Sequence, residues 1–121
     1  MLRGFLALAA LAVAAAALST GAFAQHRATP ILTGTDGPGY TIALKMKGKT
    51  VKTLKAGTYK ITVNDKSNIH DFHLKGPGVN KVITTTPFKG MKSVTVKLKK
   101  GKYTYVCDPH ATAMHGSFRV T

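Results

Sequence analysis

"YTYVCDPHATAMHGSF", residues 103–118, decides how the rest of the chain is read. Its first half alternates, with Tyr103, Tyr105 and Cys107 on one side and Thr104 and Val106 on the other. After Pro109 the chain turns, and "SFRVT" (117–121) restores the alternation with Phe118 and Val120. Period-two runs of this kind mark half-buried strands. The loop between them holds the only cysteine of the chain, two of its five histidines and one of its four methionines. Thiolate, imidazole and thioether converging from one short loop suit a soft or borderline metal.

The same alternation runs outward from this stretch. "YTIALKM" sets Tyr40, Ile42, Leu44 and Met46 against Lys45, and "YKITV" lines up Tyr59, Ile61 and Val63. "HDFHL" puts His70, Phe72 and Leu74 opposite Asp71 and His73, and "VTVKL" aligns Val94, Val96 and Leu98. Ile31 to Thr35 reads as a first strand, followed by a tight loop to Gly39. Breaks fall at Gly37-Pro38-Gly39, Lys55-Ala56-Gly57, Gly76-Pro77-Gly78, Pro87 and Lys100-Gly101. No stretch has a helical period of useful length. The pattern predicts an all-β Greek-key sandwich of about seven or eight short antiparallel strands. Leu54–Tyr59 and Leu98–Tyr103 share one turn-then-tyrosine pattern, which resembles the tyrosine corner of such sandwiches.

The first 24 residues read as a separate unit. Met1-Leu2-Arg3 is a short basic start, Phe5 to Leu18 is apolar, and Ala22-Phe23-Ala24 is a small-x-small cleavage pattern. That is the anatomy of a secretory signal peptide, too short in its apolar part for a comfortable spanning helix. The expected division is therefore a signal peptide at 1–24 and one domain at 25–121. The domain should be exported to a periplasm or beyond the cell and leave no membrane insertion after cleavage. A lone cysteine in an exported chain cannot form an internal disulfide, so it is a ligand, a reactive thiol or an intermolecular link.

The formal charge is +14, and the four acidic residues are all aspartates. Such a field attracts acidic proteins or anionic surfaces. The lysines are spread along alternating strands instead of clustering with arginine and aromatic residues, which argues against a nucleic-acid partner.

A cysteine, two histidines and a weak methionine form the blue-copper donor set. Cys107, His110 and Met114 supply three of the four, so a second histidine must come from elsewhere. His70 and His73 are three apart on one predicted strand and point to opposite faces. His70 shares the core face of Phe72 and Leu74 at the strand's start; His73 should be an ordinary outward-facing histidine.

"YTYVCDPHATAMHGSF" and "NDKSNIHDFHL" (64–74) together resemble the two signature segments of the cupredoxins, in the plastocyanin, pseudoazurin and amicyanin branch. The resemblance implies a single type 1 copper at one end of the sandwich, held by His70, Cys107, His110 and Met114. Two positions depart from the pattern. Plastocyanin-like loops commonly put four residues between the loop histidine and the methionine, and amicyanin-like loops two; here there are three, Ala111-Thr112-Ala113. Counting four instead lands on His115, while the M-x-G pattern at Met114-His115-Gly116 selects Met114. Asp71 stands where the family usually has asparagine.

A coordination set filled by protein ligands leaves no open position for substrate, unlike catalytic metal sites. The expected function is therefore that of a one-electron carrier and not an enzyme, working as a monomer with an acidic redox partner such as an oxidase, reductase or dehydrogenase. The alternative from the same residues is a protein that stores, buffers or delivers copper. The resemblance makes His110 the solvent-edge ligand, with Pro38, Phe88, Pro109, Ala111 and Ala113 as a candidate apolar rim.

Overall fold

Two five-stranded sheets face one another in the computed structural model, which describes residues 12–17, 21, 22 and 26–121. The strands are β1 (Ile31–Asp36), β2 (Ile42–Met46), β3 (Lys49–Thr50), β4 (Thr53–Leu54), β5 (Gly57–Asp65), β6 (Phe72–Gly76), β7 (Val79–Thr84), β8 (Gly90–Leu98), β9 (Gly101–Val106) and β10 (His115–Val120). One sheet has the order β3-β2-β1-β5-β8 and the other β4-β10-β9-β6-β7. A single 3-10 turn, Asp108–His110, interrupts the strand-and-loop pattern among the described residues. The expected cleavage point after Ala24 and most of the leader lie outside the described residues. No described helix is long and apolar enough to cross a membrane.

The all-β sandwich holds, with two refinements. Among the described residues there are ten strands: β3 and β4 are two-residue pieces that local alternation cannot reveal, and β7 does not alternate in burial. Pairing is not wholly antiparallel: β1 runs parallel to β5, and β10 parallel to β4. Sequence patterning favours antiparallel neighbours because hairpins are local, whereas these parallel pairs close long, non-local paths.

Alternation is read out directly as burial. Along β5, Tyr59, Ile61, Val63 and Asp65 point inward, and Leu32, Leu44, Phe72, Leu74, Ile83 and Tyr103 complete a continuous core. Each fully buried aliphatic or aromatic side chain contributes roughly 1.5–3 kcal/mol relative to exposure. At the end of the sandwich far from Cys107, the two tyrosines use one device. The Tyr59 hydroxyl donates to the Lys55 carbonyl at 2.7 Å. The Tyr103 hydroxyl accepts from the Lys99 N–H at 2.9 Å and donates to the Pro77 carbonyl at 2.6 Å. Each tyrosine thus ties its strand to the residue four positions upstream.

Tyr40 departs from expectation. It is not the first inward residue of a strand but an exposed residue of the preceding loop. Gly37 N–H donates to the Thr41 carbonyl at 2.8 Å and the Thr41 hydroxyl to the Pro38 carbonyl at 3.0 Å. These bonds keep the chain turning through Thr41, so β2 starts only at Ile42.

Candidate metal centre

β9 delivers Cys107 to one end of the sandwich, fully buried and free of any disulfide. Pro109 then starts the 3-10 turn that carries His110. The loop closes on itself. His110 N–H bonds the Cys107 carbonyl at 3.1 Å, Met114 N–H bonds the His110 carbonyl at 2.8 Å, and Cys107 N–H bonds the Met114 carbonyl at 3.0 Å. These backbone bonds fix the spacing of the three side chains. Gly116 anchors the return strand. It sits opposite Tyr105 in the register, and a Cβ there would stand 2.2 Å from the Tyr105 ring. The glycine of M-x-G is therefore the space that lets an aromatic side chain lie across β10.

His70 arrives from the loop between β5 and β6, two residues before β6 begins, and is buried. Its Nε2 lies 2.7 Å from the Gly39 carbonyl, which can only accept, so Nε2 carries the hydrogen and Nδ1 offers a lone pair. That Nδ1 is 3.1 Å from His110 Nδ1 and 3.7 Å from Cys107 Sγ, while His110 Nδ1 is 3.5 Å from the same sulfur. Metal bonds of about 2.0 Å to imidazole and about 2.3 Å to thiolate would span such a triangle. The three donors therefore fit one ion. Met114 is also fully buried, yet it stands outside the continuous apolar core. His115 is exposed, with its Nδ1 2.9 Å from the Ala111 carbonyl.

The surrounding groups are largely charged or polar. Burial pushes the Cys107 thiol above its ordinary range, opposed by the backbone N–H groups of Asp71 and His110. Asp71 braces the loop: its Oδ1 accepts from Asp108 N–H at 2.6 Å. Burial first, and the Asp108 carboxyl next, push Asp71 up to about 6. Asp108 moves the other way. Its partial burial is outweighed by Asp71, His73 and Lys75, which hold it below the usual carboxylate range.

His73 was expected to be an unremarkable surface histidine. It does lie on the face opposite His70, but its side chain is only 13% exposed and its Nδ1 is 2.7 Å from Asp108 Oδ2. Its Nε2 contacts the Asn80 side chain. Asp108 comes 35 residues later, so no local pattern could announce the contact. Tyr40 is the other residue that alternation misplaced. Its ring meets His110 edge-on at 4.9 Å and His70 at 5.8 Å. The signal was present in Gly37-Pro38-Gly39, which directly precedes it. Of the expected rim, Pro38, Pro109, Ala111 and Ala113 are exposed, whereas Phe88 is half-buried with the Lys92 ammonium 5.9 Å from its ring centre.

A second acidic pair lies at the same end of the sandwich. Asp36 and Asp65 face each other where β1 and β5 end, and both are buried. Asp65 Oδ1 accepts from Ser67 N–H at 3.1 Å, and the Thr84 hydroxyl donates to Asp36 Oδ2 at 3.4 Å. Asp36 Oδ1 and Asp65 Oδ2 have no hydrogen-bond partner among the described residues. Burial, and then Asp65, push Asp36 up to about 7. A proton kept on Asp36 would give that carboxyl a hydrogen to donate to Asp65.

Two imidazoles and a thiol converging at one end of a two-sheet sandwich define the class of mononuclear copper β-sandwich proteins. The sequence agrees: residues 40–121 match the family model described as copper binding proteins, plastocyanin/azurin family, and the chain belongs to that family. Its metal is copper. No curated protein sequence matches the chain. Among solved structures, a rusticyanin variant is similar at 24% identity and a TM-score of 0.54, covering 75% of this chain and 76% of its own. Auracyanin A, a "blue" copper protein from the green thermophilic photosynthetic bacterium Chloroflexus aurantiacus, is similar at 19% identity and a TM-score of 0.53, covering 78% of this chain and 100% of its own. A chain of a heme-copper terminal oxidase dimer is similar at 22% identity and a TM-score of 0.53, over 75% of this chain and 63% of its own. These likenesses are of fold.

Proposed function

We propose that this protein is an exported one-electron carrier in which His70, Cys107, His110 and Met114, and not His115, would hold the copper. The donor triangle carries the reading, because three soft or borderline donors sit within 3.1–3.7 Å of one another on a backbone already closed by hydrogen bonds. Met114 is buried beside that triangle in the sequence, whereas the His115 ring is exposed and engaged by the Ala111 carbonyl.

Bound copper supplies one-electron exchange between Cu(I) and Cu(II). The protein's part is to hold its donors still and dry. His70, Cys107 and Met114 are buried and His110 is half-buried, which supports a carrier over a catalyst that must admit substrate. His110, with the Tyr40 ring against it, is where the donor set reaches the surface. The excess of lysine favours an acidic partner, an oxidase among the candidates, with association that slows as salt rises. The leader at 1–24 supports export of the domain at 25–121.

Protein loaded with Cu(II) should show an intense visible thiolate-to-copper absorption and a narrow copper hyperfine splitting, both lost in Cys107→Ser. Reversible voltammetry with rapid electron exchange supports the carrier. Failure to cycle, with copper passing instead to an apo acceptor, sinks it in favour of copper storage or delivery.

A further inference from the structure

β7 and β8 are free edges of different sheets and lie beside one another on one flank of the sandwich. An open groove of about 450 Å³ runs between them. Its apolar part is Val79, Val94 and Val96; its rim carries Lys81, Lys97 and Lys99. Lys99 bends over the end of the groove, with its Nζ 3.5 Å from where a Cβ on Gly78 would stand.

None of these three ammonium groups has a carboxylate partner among the described residues. The acidic side chains that could neutralise them are committed elsewhere. Asp36, Asp65 and Asp71 are buried, and Asp108 is taken by His73 and Lys75. The groove is therefore cationic, partly apolar, and bordered by strand edges whose outward N–H and C=O groups have no sheet partner.

An added strand suits these features better than a small ion. Side chains on one face of a strand repeat about every 6.8 Å. Lys97 and Lys99 follow that repeat along β8 and its end, so carboxylates two residues apart on a neighbouring strand would fall in step with them. The alternate residues of that strand would meet the valines. Lysines on an edge deter uncharged strands, so the same residues that block self-pairing select an acidic sequence. We propose that the groove between β7 and β8 receives an extended acidic segment of a protein partner, one that alternates carboxylate with apolar side chains. The site is distinct from the surface around His110 and does not depend on the copper reading, because the apoprotein can test it.

The probe is a capped peptide alternating Glu and Val, added at low salt to isotope-labelled apoprotein and followed by amide NMR. Saturable shifts concentrated on residues 79–82 and 93–99 are expected, with slowed amide exchange along both edges. The triple change Lys81→Gln, Lys97→Gln, Lys99→Gln should weaken binding at least about tenfold. Lys45→Gln, Lys49→Gln, Lys52→Gln removes the same charge from exposed positions elsewhere and should alter it less than about twofold. The amide spectra of both variants report whether they fold. Equal weakening by the two triples would mean attraction to the overall charge only and would overturn the proposal. So would shifts elsewhere on the molecule, or inorganic phosphate or anionic vesicles perturbing the same amides as strongly as the peptide.

Discussion

The Asp36–Asp65 pair and the Asp71–Asp108 pair use every acidic residue of the chain, yet they do opposite things. Asp36 and Asp65 meet across two strands, buried, with no basic partner among the described residues. There a carboxyl survives by keeping a proton. Asp71 and Asp108 meet at the junction of the two loops that bring in the candidate ligands. A backbone N–H, His73 and Lys75 there give the oxygens something to accept from. One pair behaves as a hydrogen-bonded spacer that keeps a single proton, the other as a polar clamp. The difference lies in the donors around each pair and not in residue type or depth alone.

The clamp should be the costlier pair to break. Asp71→Ala leaves Asp108 N–H without its acceptor and frees the Cys107 loop, so copper affinity should fall about 10–100-fold, as for other groups that orient ligands. Competition against a chromophoric copper chelator measures it, and unchanged affinity would remove Asp71 from that role.

The spacer should show itself through pH. The folded-state pKa of Asp36 lies above its ordinary 3.8, at about 7, so the fold binds a proton that the unfolded chain has released. Stability from this group is then full below about pH 4 and is lost as pH rises toward 7. Asp36→Asn keeps the shape and a hydrogen bond to Asp65 but cannot ionise. Relative to wild type, the melting temperature of the variant apoprotein should rise between pH 5 and 8, by on the order of 5 °C. A constant difference across that range would mean the pair does not titrate there.

Smaller effects test the clamp's chemistry. Asp71→Asn preserves the acceptor oxygen while removing the charge, and should raise the reduction potential without loosening the site; voltammetry decides. Lys75→Ala should be nearly silent. Its ammonium is 3.8 Å from Asp108 and both side chains are substantially exposed. Such pairs contribute about 0–1 kcal/mol, so urea melts should shift little. A large loss would mean that Lys75, and not His73, holds Asp108.

The fold was legible because alternation is a local property: Tyr59, Ile61 and Val63 announce an inward face wherever they stand. Cys107, His110 and Met114 were legible for the same reason, since one short loop holds all three. His70 could be chosen over His73 by carrying the parity of Phe72 and Leu74 back past the start of β6, although His70 itself lies in the preceding loop. The partners of β1 and β4 could not, because a parallel neighbour is set by the route of the chain between them. Nor could the clamp or the spacer. Each aspartate, alone in sequence, reads as an ordinary polar residue at a strand end, and its meaning comes from a residue brought in by the fold. Tyr40 was misread because a run that alternates correctly can still begin in a turn.

The space over Gly116 has a consequence for finding related chains. Its lack of a side chain matters only because Tyr105 crosses it, and Gly76 stands in the same relation to Tyr103, whose ring would lie 2.1 Å from an added Cβ. Glycine and tyrosine are thus single structural letters written across two strands. A distant relative with alanine or serine two residues after its methionine should carry a smaller residue at the position of Tyr105. A search that scores the two positions together would keep such sequences, where one that demands the glycine discards them.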